Sequence, residues 1–332
     1  MRLRIIATAA LLLVGASALR AEIAEITIAQ QFGVSFLPLM LMERDSLIEK
    51  HAKAAGIEVK TNWQKVAGPS VINDGLLSGN VHFGAVGAPS LVTLWWRTKG
   101  NVGVKGVAAM TSYPLYFITR NPELKSLKEL SAKDKIAVPS VKISPQAIML
   151  QMAAADLFGQ ANYQKFDEYT VSLAHPDAMV ALMNNTSGVN AHFGTSPFYE
   201  QEMKFPGARL LTTSYDILGG RASALVVVTT GKFHDANPKV YRAFLAAEKE
   251  AIDAINKDKR AAAQAYLDIA NDRKNTLDDI FAVINDKDYA FTLSPEKVFK
   301  TAVFMGKVGS VKEPPAKWQD LFFPDIHDLP GD

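Results

Sequence analysis

From Glu25 onward, short runs of β-forming residues alternate with amphipathic helical repeats, and this alternation restricts the fold more than any other feature of the chain. Strands separated by helices build layered α/β structures with helices covering the sheet faces. Ile26-Thr27-Ile28-Ala29 opens the series. Leu37, Leu41, Ile48, Ala52 and Ala55 recur at helical spacing and predict one helix over 37–55, stopped by Gly56. Ile57, Val59, Thr61 and Trp63 alternate with polar neighbours, the period-2 pattern of a strand with one buried face. Helical patterns follow over 70–77, 89–99, 146–158 and 176–184, and strand patterns over 82–86, 102–109, 114–119, 135–138, 169–173, 189–193, 209–213 and 224–229. The stretch 237–309 reads as almost entirely helical, ending before Pro314-Pro315. The expected class is α/β with mainly parallel sheets. Residues 110–113, and the return after Gly219-Gly220, read as crossovers between two domains.

The 332 residues, 48% of them hydrophobic and 21% charged, are enough for two globular domains with cores of their own. Positive and negative residues are interspersed, as in Glu43-Arg44-Asp45, and the net charge is +2, which argues against a nucleic-acid partner. The chain has no cysteine. That excludes disulfides, thiolate metal ligands, a cysteine nucleophile and a lipid anchor on cysteine. At the N-terminus, Arg2 and Arg4 precede the apolar run 5–14 and the small residues Ala16-Ser17-Ala18 and Ala21. This is the pattern of a cleavable signal peptide over 1–21, cut within 18–21, and it predicts export to the periplasm. The run is too short to span a bilayer, which takes roughly 20 apolar residues.

One local device bears on chemistry. Four times a predicted strand is followed by X-Pro opening a helix: Ala88-Pro89, Ser144-Pro145, His175-Pro176 and Ser196-Pro197. Proline suits the first helical turn, where the amide it lacks would be unpaired. The remaining free amides take a capping side chain or a ligand oxygen, and strand-to-helix turns gather at the carboxyl ends of strands, where α/β sheets bind ligands. No zinc, phosphate-loop or nucleophile-elbow signature is present, and the six histidines lack metal-site spacing. At His175 and Asp177 the helix-opening context favours capping over metal ligation. The sequence therefore implies no cofactor and no catalytic residue.

The stretches Ile26-Thr27-Ile28-Ala29-Gln30-Gln31-Phe32-Gly33, Gly75-Leu76-Leu77-Ser78-Gly79-Asn80-Val81-His82-Phe83-Gly84 and Gly87-Ala88-Pro89 suggest a family, supported by Asn190-Ala191-His192-Phe193, Ser196-Pro197-Phe198 and Ser214-Tyr215-Asp216-Ile217-Leu218-Gly219-Gly220. Over nearly its whole length the chain resembles the periplasmic substrate-binding proteins of ABC importers in the nitrate/sulfonate/taurine group, the NMT1/THI5-like family. The resemblance implies a two-lobed periplasmic-binding-protein fold of type II with a hinge. Lobe one is then 22–112 with 221–332, and lobe two is 113–220. It implies a monomeric carrier that closes on a small-molecule solute and delivers it to the permease and ATPase subunits of an importer.

Carried over residue by residue, the resemblance places Gln31, Phe32 and Gly33 in the cleft from lobe one, with Ala88 and Ser90 at the mouth of the Pro89 helix. From lobe two it places Lys142, Ser144 and Gln146, with Lys142 either a point charge for an anion or a surface lysine. His192 is either a ligand donor or a satisfied core histidine, and Asp216 either accepts a ligand amine or closes a turn. The expected ligands are, in order, an organic sulfonate, another small organic acid or heterocycle, and nitrate. Nitrate comes last because the proposed loops lack an arginine clamp, apart from Arg221 at the crossover. Phe32, Phe36, Phe193 and Phe198 are available for an apolar pocket. Two further readings remain. The fold group includes enzymes of thiamine-pyrimidine synthesis, but their cysteine-rich motif is absent here, and a sensory partner of a membrane receptor would use the same lobes.

Overall fold

The computed structural model describes residues 22–332; the signal peptide expected over 1–21 lies outside the described residues. The strands are β1 Glu25–Gln30, β2 Lys60–Lys65, β3 Phe83–Val86, β4 Val104–Ser112, β5 Tyr116–Thr119, β6 Ile136–Val138, β7 Thr170–Ser172, β8 Ala191–Gly194, β9 Arg209–Thr213, β10 Ser223–Thr230 and β11 Ala290–Phe291. The helices are α1 Leu37–Arg44, α2 Leu47–Ala54, α3 Pro69–Ser78, α4 Ala88–Thr98, α5 Pro145–Phe158, α6 His175–Asn184, α7 Phe198–Met203, α8 Ser214–Leu218, α9 Gly231–Ala236, α10 Pro238–Lys257, α11 Lys259–Ala270, α12 Leu277–Asn285 and α13 Val298–Lys307.

The strands form two sheets, each the base of one lobe. The first has six strands in the order β11-β4-β10-β3-β1-β2, and the second has five in the order β7-β6-β8-β5-β9. Both are mixed rather than mainly parallel. β1 pairs in parallel with β2 and β3, as βαβ units require, but β10 is antiparallel to β3 and β4. The reason is the double crossing between lobes. The chain leaves the first sheet along β4 and returns along β10, so the two strands run in opposite senses with Ser112 opposite Ser223. The same reversal makes β5 antiparallel to β8 and β9.

Two other expectations change. The apolar repeat over 37–55 continues unbroken, yet Ser46 takes a left-handed backbone (φ 49°) and splits it into α1 and α2. The split lets both short helices pack on the 20-residue α10 while each keeps its apolar face inward. Within 237–309, β11 is a two-residue strand on the edge of the first sheet, too short to carry a period of its own. At the centre, β10 reads Ala-Leu-Val-Val-Val and is buried on both faces. Phe83 of β3 stacks on Phe244 of α10 at 3.9 Å, fixing the helix to the sheet. Among the described residues no helix is long and apolar enough to cross a membrane.

Candidate functional site

The lobes meet along a tight seam. Across it Val34 N donates to Ser196 O at 3.2 Å, the Ser70 and Ser140 hydroxyls lie 3.0 Å apart, and Ser90 Oγ donates to Ile143 O at 3.5 Å. Closure this complete depends on glycine at the contact points. A Cβ on Gly87 would lie 2.0 Å from Cγ of Pro145, and one on Gly68 2.5 Å from the Pro139 carbonyl. Gly87 and Gly68 have extended backbones open to any residue, so the requirement at both is close approach. Gly33 adds a conformational one, with φ 121° and the Ser196 carbonyl 3.0 Å from where its Cβ would stand.

At the centre of the seam is a cavity of ≈ 20 Å³, room for little more than one water. Its lining explains the sequence device. Pro69 opens α3, Gly87 caps α4, Ser144 and Pro145 open α5, and His175 opens α6, so four helices of ten or more residues point their N-termini at one small volume. The first amides of each have no intrahelical acceptor, and the helix dipoles add positive potential there. The lining contains no Asp, Glu, Lys or Arg. Gly68-Pro69 is a helix opening of the same X-Pro kind that the sequence reading passed over.

Polar side chains complete the wall. Gln31 and Gln146 are almost wholly buried; Gln31 Nε2 reaches the Ala85 carbonyl at 3.5 Å, while Gln146 Oε1 has no partner. The Thr195 hydroxyl is buried at the cavity beside the Tyr113 phenol. Burial pushes the Tyr113 phenol up, offset in part by the Ser35 and Thr195 hydroxyls beside it. Tyr113, His175 and Thr195 are site residues that the sequence reading missed. Tyr113 sat in a predicted crossover, and His175 was read as a cap, whereas α6 is capped by Ala174 and the imidazole turns to other partners.

The expected site residues divide accordingly. Gln31, Ser144 and Gln146 line the cavity, and Ser144 also caps α5 by accepting from Ala147 N at 3.4 Å. Ser90 is fully buried at the seam, and Ala88 lines a second small seam cavity beside Tyr113. Phe32 and Gly33 line an outer groove of ≈ 460 Å³ at the mouth of the cleft, with Phe198 across from them and Lys65 Nζ 5.9 Å from the Phe32 ring. Phe36 reaches the central cavity, while Phe193 is core.

Three residues lie elsewhere. Lys142 is exposed on a left-handed backbone (φ 61°) and does not line the cavity; burial pushes the Asp167 carboxyl up, offset in part by its hydrogen bond from Gln151 and, less, by the Lys142 charge. Asp216 caps α8, accepting from Thr213 N at 2.8 Å in a reciprocal capping box. His192 is fully buried one layer behind the cavity, and Ser196, joined to Pro197 by a cis bond, donates to Glu200 at 2.6 Å rather than capping α7, which starts at Phe198.

Behind the second lobe's wall runs a buried polar chain. Glu202 Oε1 is 2.5 Å from His192 Nδ1, His192 Nε2 is 2.9 Å from His175 Nδ1, and His175 Nε2 is 3.5 Å from Gln146 Nε2. Burial, and to a lesser degree the neighbouring His192, hold His175 well below the usual imidazole range, so it is neutral at pH 7. The cavity therefore offers donors and acceptors on uncharged groups backed by helix dipoles. Such an arrangement is chemically suited to binding and orienting a small polar ligand.

The profile of the family described as NMT1/THI5 like matches residues 53–262. In fold the chain is similar to the alkanesulfonate-binding protein SsuA from Xanthomonas axonopodis pv. citri, with TM-score 0.67 and 14% identity over 90% of this chain and 96% of that one. It is also similar to the periplasmic aliphatic sulphonate-binding protein SsuA from Escherichia coli, with TM-score 0.64 and 15% identity over 91% and 92%. The periplasmic nitrate-binding protein NrtA from Synechocystis gives TM-score 0.65 and 14% identity over 90% and 84%. No curated protein matches the chain in sequence.

Proposed function

Because the chain belongs to the NMT1/THI5-like family, we propose that it is a periplasmic solute-binding protein that closes its two lobes around a small organic oxyanion, a sulfonate in the first instance, and delivers it to an ABC importer. The observation that carries this reading is the convergence of four helix N-termini on a buried cavity whose lining holds no charged side chain. Helix N-termini hold oxyanions through backbone amides and dipoles without a cationic clamp. The solved structures of similar fold that bind alkanesulfonate and nitrate point to the same ligand chemistry.

In this reading 22–112 with 221–332 and 113–220 move as bodies about the two crossovers, which lie side by side where Ser112 Oγ and Ser223 Oγ are 3.4 Å apart. The cavity is the closed state around a few atoms, and an incoming ligand widens it while contacting both walls, so ligand and closure favour one another. The mature chain would be a free monomer that presents its closed lobes to a permease and ATPase. Binding rather than catalysis is the reading, since the cavity lining carries no charged side chain and its imidazole, His175, is neutral.

The test is a thermal-shift series on the mature protein with ethanesulfonate, methanesulfonate, nitrate, acetate and uracil. A ligand that binds only the folded state at 100 times its Kd adds about 2.7 kcal/mol of apparent stability. A sulfonate is expected to give the largest shift. Stabilisation by uracil alone, or chemical turnover of a stabilising compound, would overturn the reading.

A further inference from the structure

Gln146 occupies the second position of α5, with its side chain buried in the cavity wall and Oε1 without a partner. Its Nε2 faces His175 Nε2 at 3.5 Å. An amide nitrogen only donates, so His175 Nε2 must be the lone-pair side of the ring. Neutral His175 then carries its proton on Nδ1 and donates it to His192 Nε2 at 2.9 Å. His192 Nε2, which accepts that proton, is then the lone-pair side of its ring, so its proton lies on Nδ1 and is donated to Glu202 Oε1 at 2.5 Å. The chain then runs one way, from the amide donor at the cavity through both rings to the Glu202 oxygen that accepts in the core. The four elements involved are α5, the start of α6, β8 and α7, and all four side chains are buried.

We propose that Glu202, acting through His192 and His175, is a positioning residue that holds the Gln146 amide with its oxygen toward the cavity, so that the site selects oxyanions carrying an N–H or O–H donor beside the anionic group. This rests on the oxyanion reading of the cavity and deepens it. A ligand without a donor leaves Gln146 Oε1 buried and unpaired, and sites built to bond a polar group reject the analogue that lacks it. Reversing the amide to offer its nitrogen instead requires the His175 and His192 protons to turn round and one further proton to be taken up between His192 Nδ1 and Glu202 Oε1.

The proton direction is read from long-range ¹H–¹⁵N correlation spectra of ¹⁵N-histidine-labelled protein. The expected result is the Nδ1–H tautomer for both His175 and His192, and an Nε2–H tautomer at His175 overturns the proposal. Glu202→Gln can donate as well as accept, so it is expected to convert His175 to a mixture of tautomers, and an unchanged pattern removes Glu202 from the role.

Should Glu202→Gln fail to fold, the wild-type spectra and the ligand arm still decide. Sulfamate and methanesulfonate match in charge and shape and differ by NH₂ for CH₃. Wild-type protein is expected to bind sulfamate about tenfold more tightly, and Gln146→Leu to reduce that preference below twofold. Equal binding by wild type defeats the proposal and leaves the oxyanion reading standing. Failure of both anions to bind defeats the oxyanion reading, and the tautomers then decide the chain's direction on their own.

Discussion

The two walls of the cleft are built by opposite means. The first lobe brings backbone to the seam: Gly33, Gly68 and Gly87 let main chain and small side chains approach the opposite lobe within van der Waals contact. The second lobe brings layered side chains, with Ser144, Gln146, His175 and Thr195 at the cavity and His192 and Glu202 behind them. On the proposed reading, one wall sets how far the cleft closes and the other sets which chemical groups the closed cleft accepts. Changes to the first wall should act on closure as a whole, and changes to the second should act on preference and local stability.

The largest expected effect is on the first wall. Gly87→Val puts a branched side chain where Cβ alone would lie 2.0 Å from Pro145, a rigid ring that has no rotamer to yield. The φ of −76° is open to valine, so the fold should persist with the lobes held apart. The expected outcome is at least a hundredfold loss of affinity for the best ligand of the thermal-shift series, together with a larger radius of gyration in solution scattering. Normal affinity in this variant would mean that closure at Gly87 is not part of binding.

The next contrast sets two buried glutamates against each other. Glu202 in the second lobe is bonded to His192, whereas Glu248 on α10 in the first lobe is fully buried with neither oxygen bonded. Glu202→Leu should destabilise by about 2–4 kcal/mol, because it strands the His192 Nδ1–H in the core. Glu248→Met should stabilise by about 1–3 kcal/mol at pH 7, because it removes an unpartnered polar group.

The pH dependence gives the second of these a sign. Burial raises the Glu248 pKa well above its usual value, so the folded state binds this proton more tightly than the unfolded state does. Its contribution is fully present below the unfolded carboxyl range and is lost as pH rises through the raised folded value. The advantage of Glu248→Met should therefore shrink as urea denaturation is moved from pH 7 to pH 4. An advantage that grows on acidification would show that Glu248 is ionised and paired in the folded protein.

The legibility of these features in the sequence follows from their physics. β1 and β10 were readable from their β-branched runs, Ile26-Thr27-Ile28 and Val226 to Thr230, and the openings of α4, α5 and α6 because proline suits the first helical turn. The break at Ser46 was not, because the apolar period runs through it and only the packing of α1 and α2 on α10 demands the turn. The chain Glu202–His192–His175–Gln146 joins α7, β8, α6 and α5, and no local period links residues that meet only when the second sheet forms. Mixed strand directions were hidden for the same reason: β4 and β10 are over a hundred residues apart and become neighbours only through the double crossing.

The smallest effect is the one the sequence made most attractive. Lys142 is the charge nearest the Ser144-Pro145 opening, and a lysine there reads as a counter-ion for an anion. The residue instead sits exposed on a left-handed backbone outside the cavity lining, where solvent and salt screen its charge. Lys142→Ala should change ligand affinity less than twofold, as measured by titration calorimetry at low salt. Ser144→Ala, two residues on, should cost about 1 kcal/mol of stability through the lost α5 cap and weaken binding as well. If Lys142→Ala instead weakens binding more than Ser144→Ala does, the anion is held by charge from the rim, and the uncharged wall of the second lobe is not what recognises it.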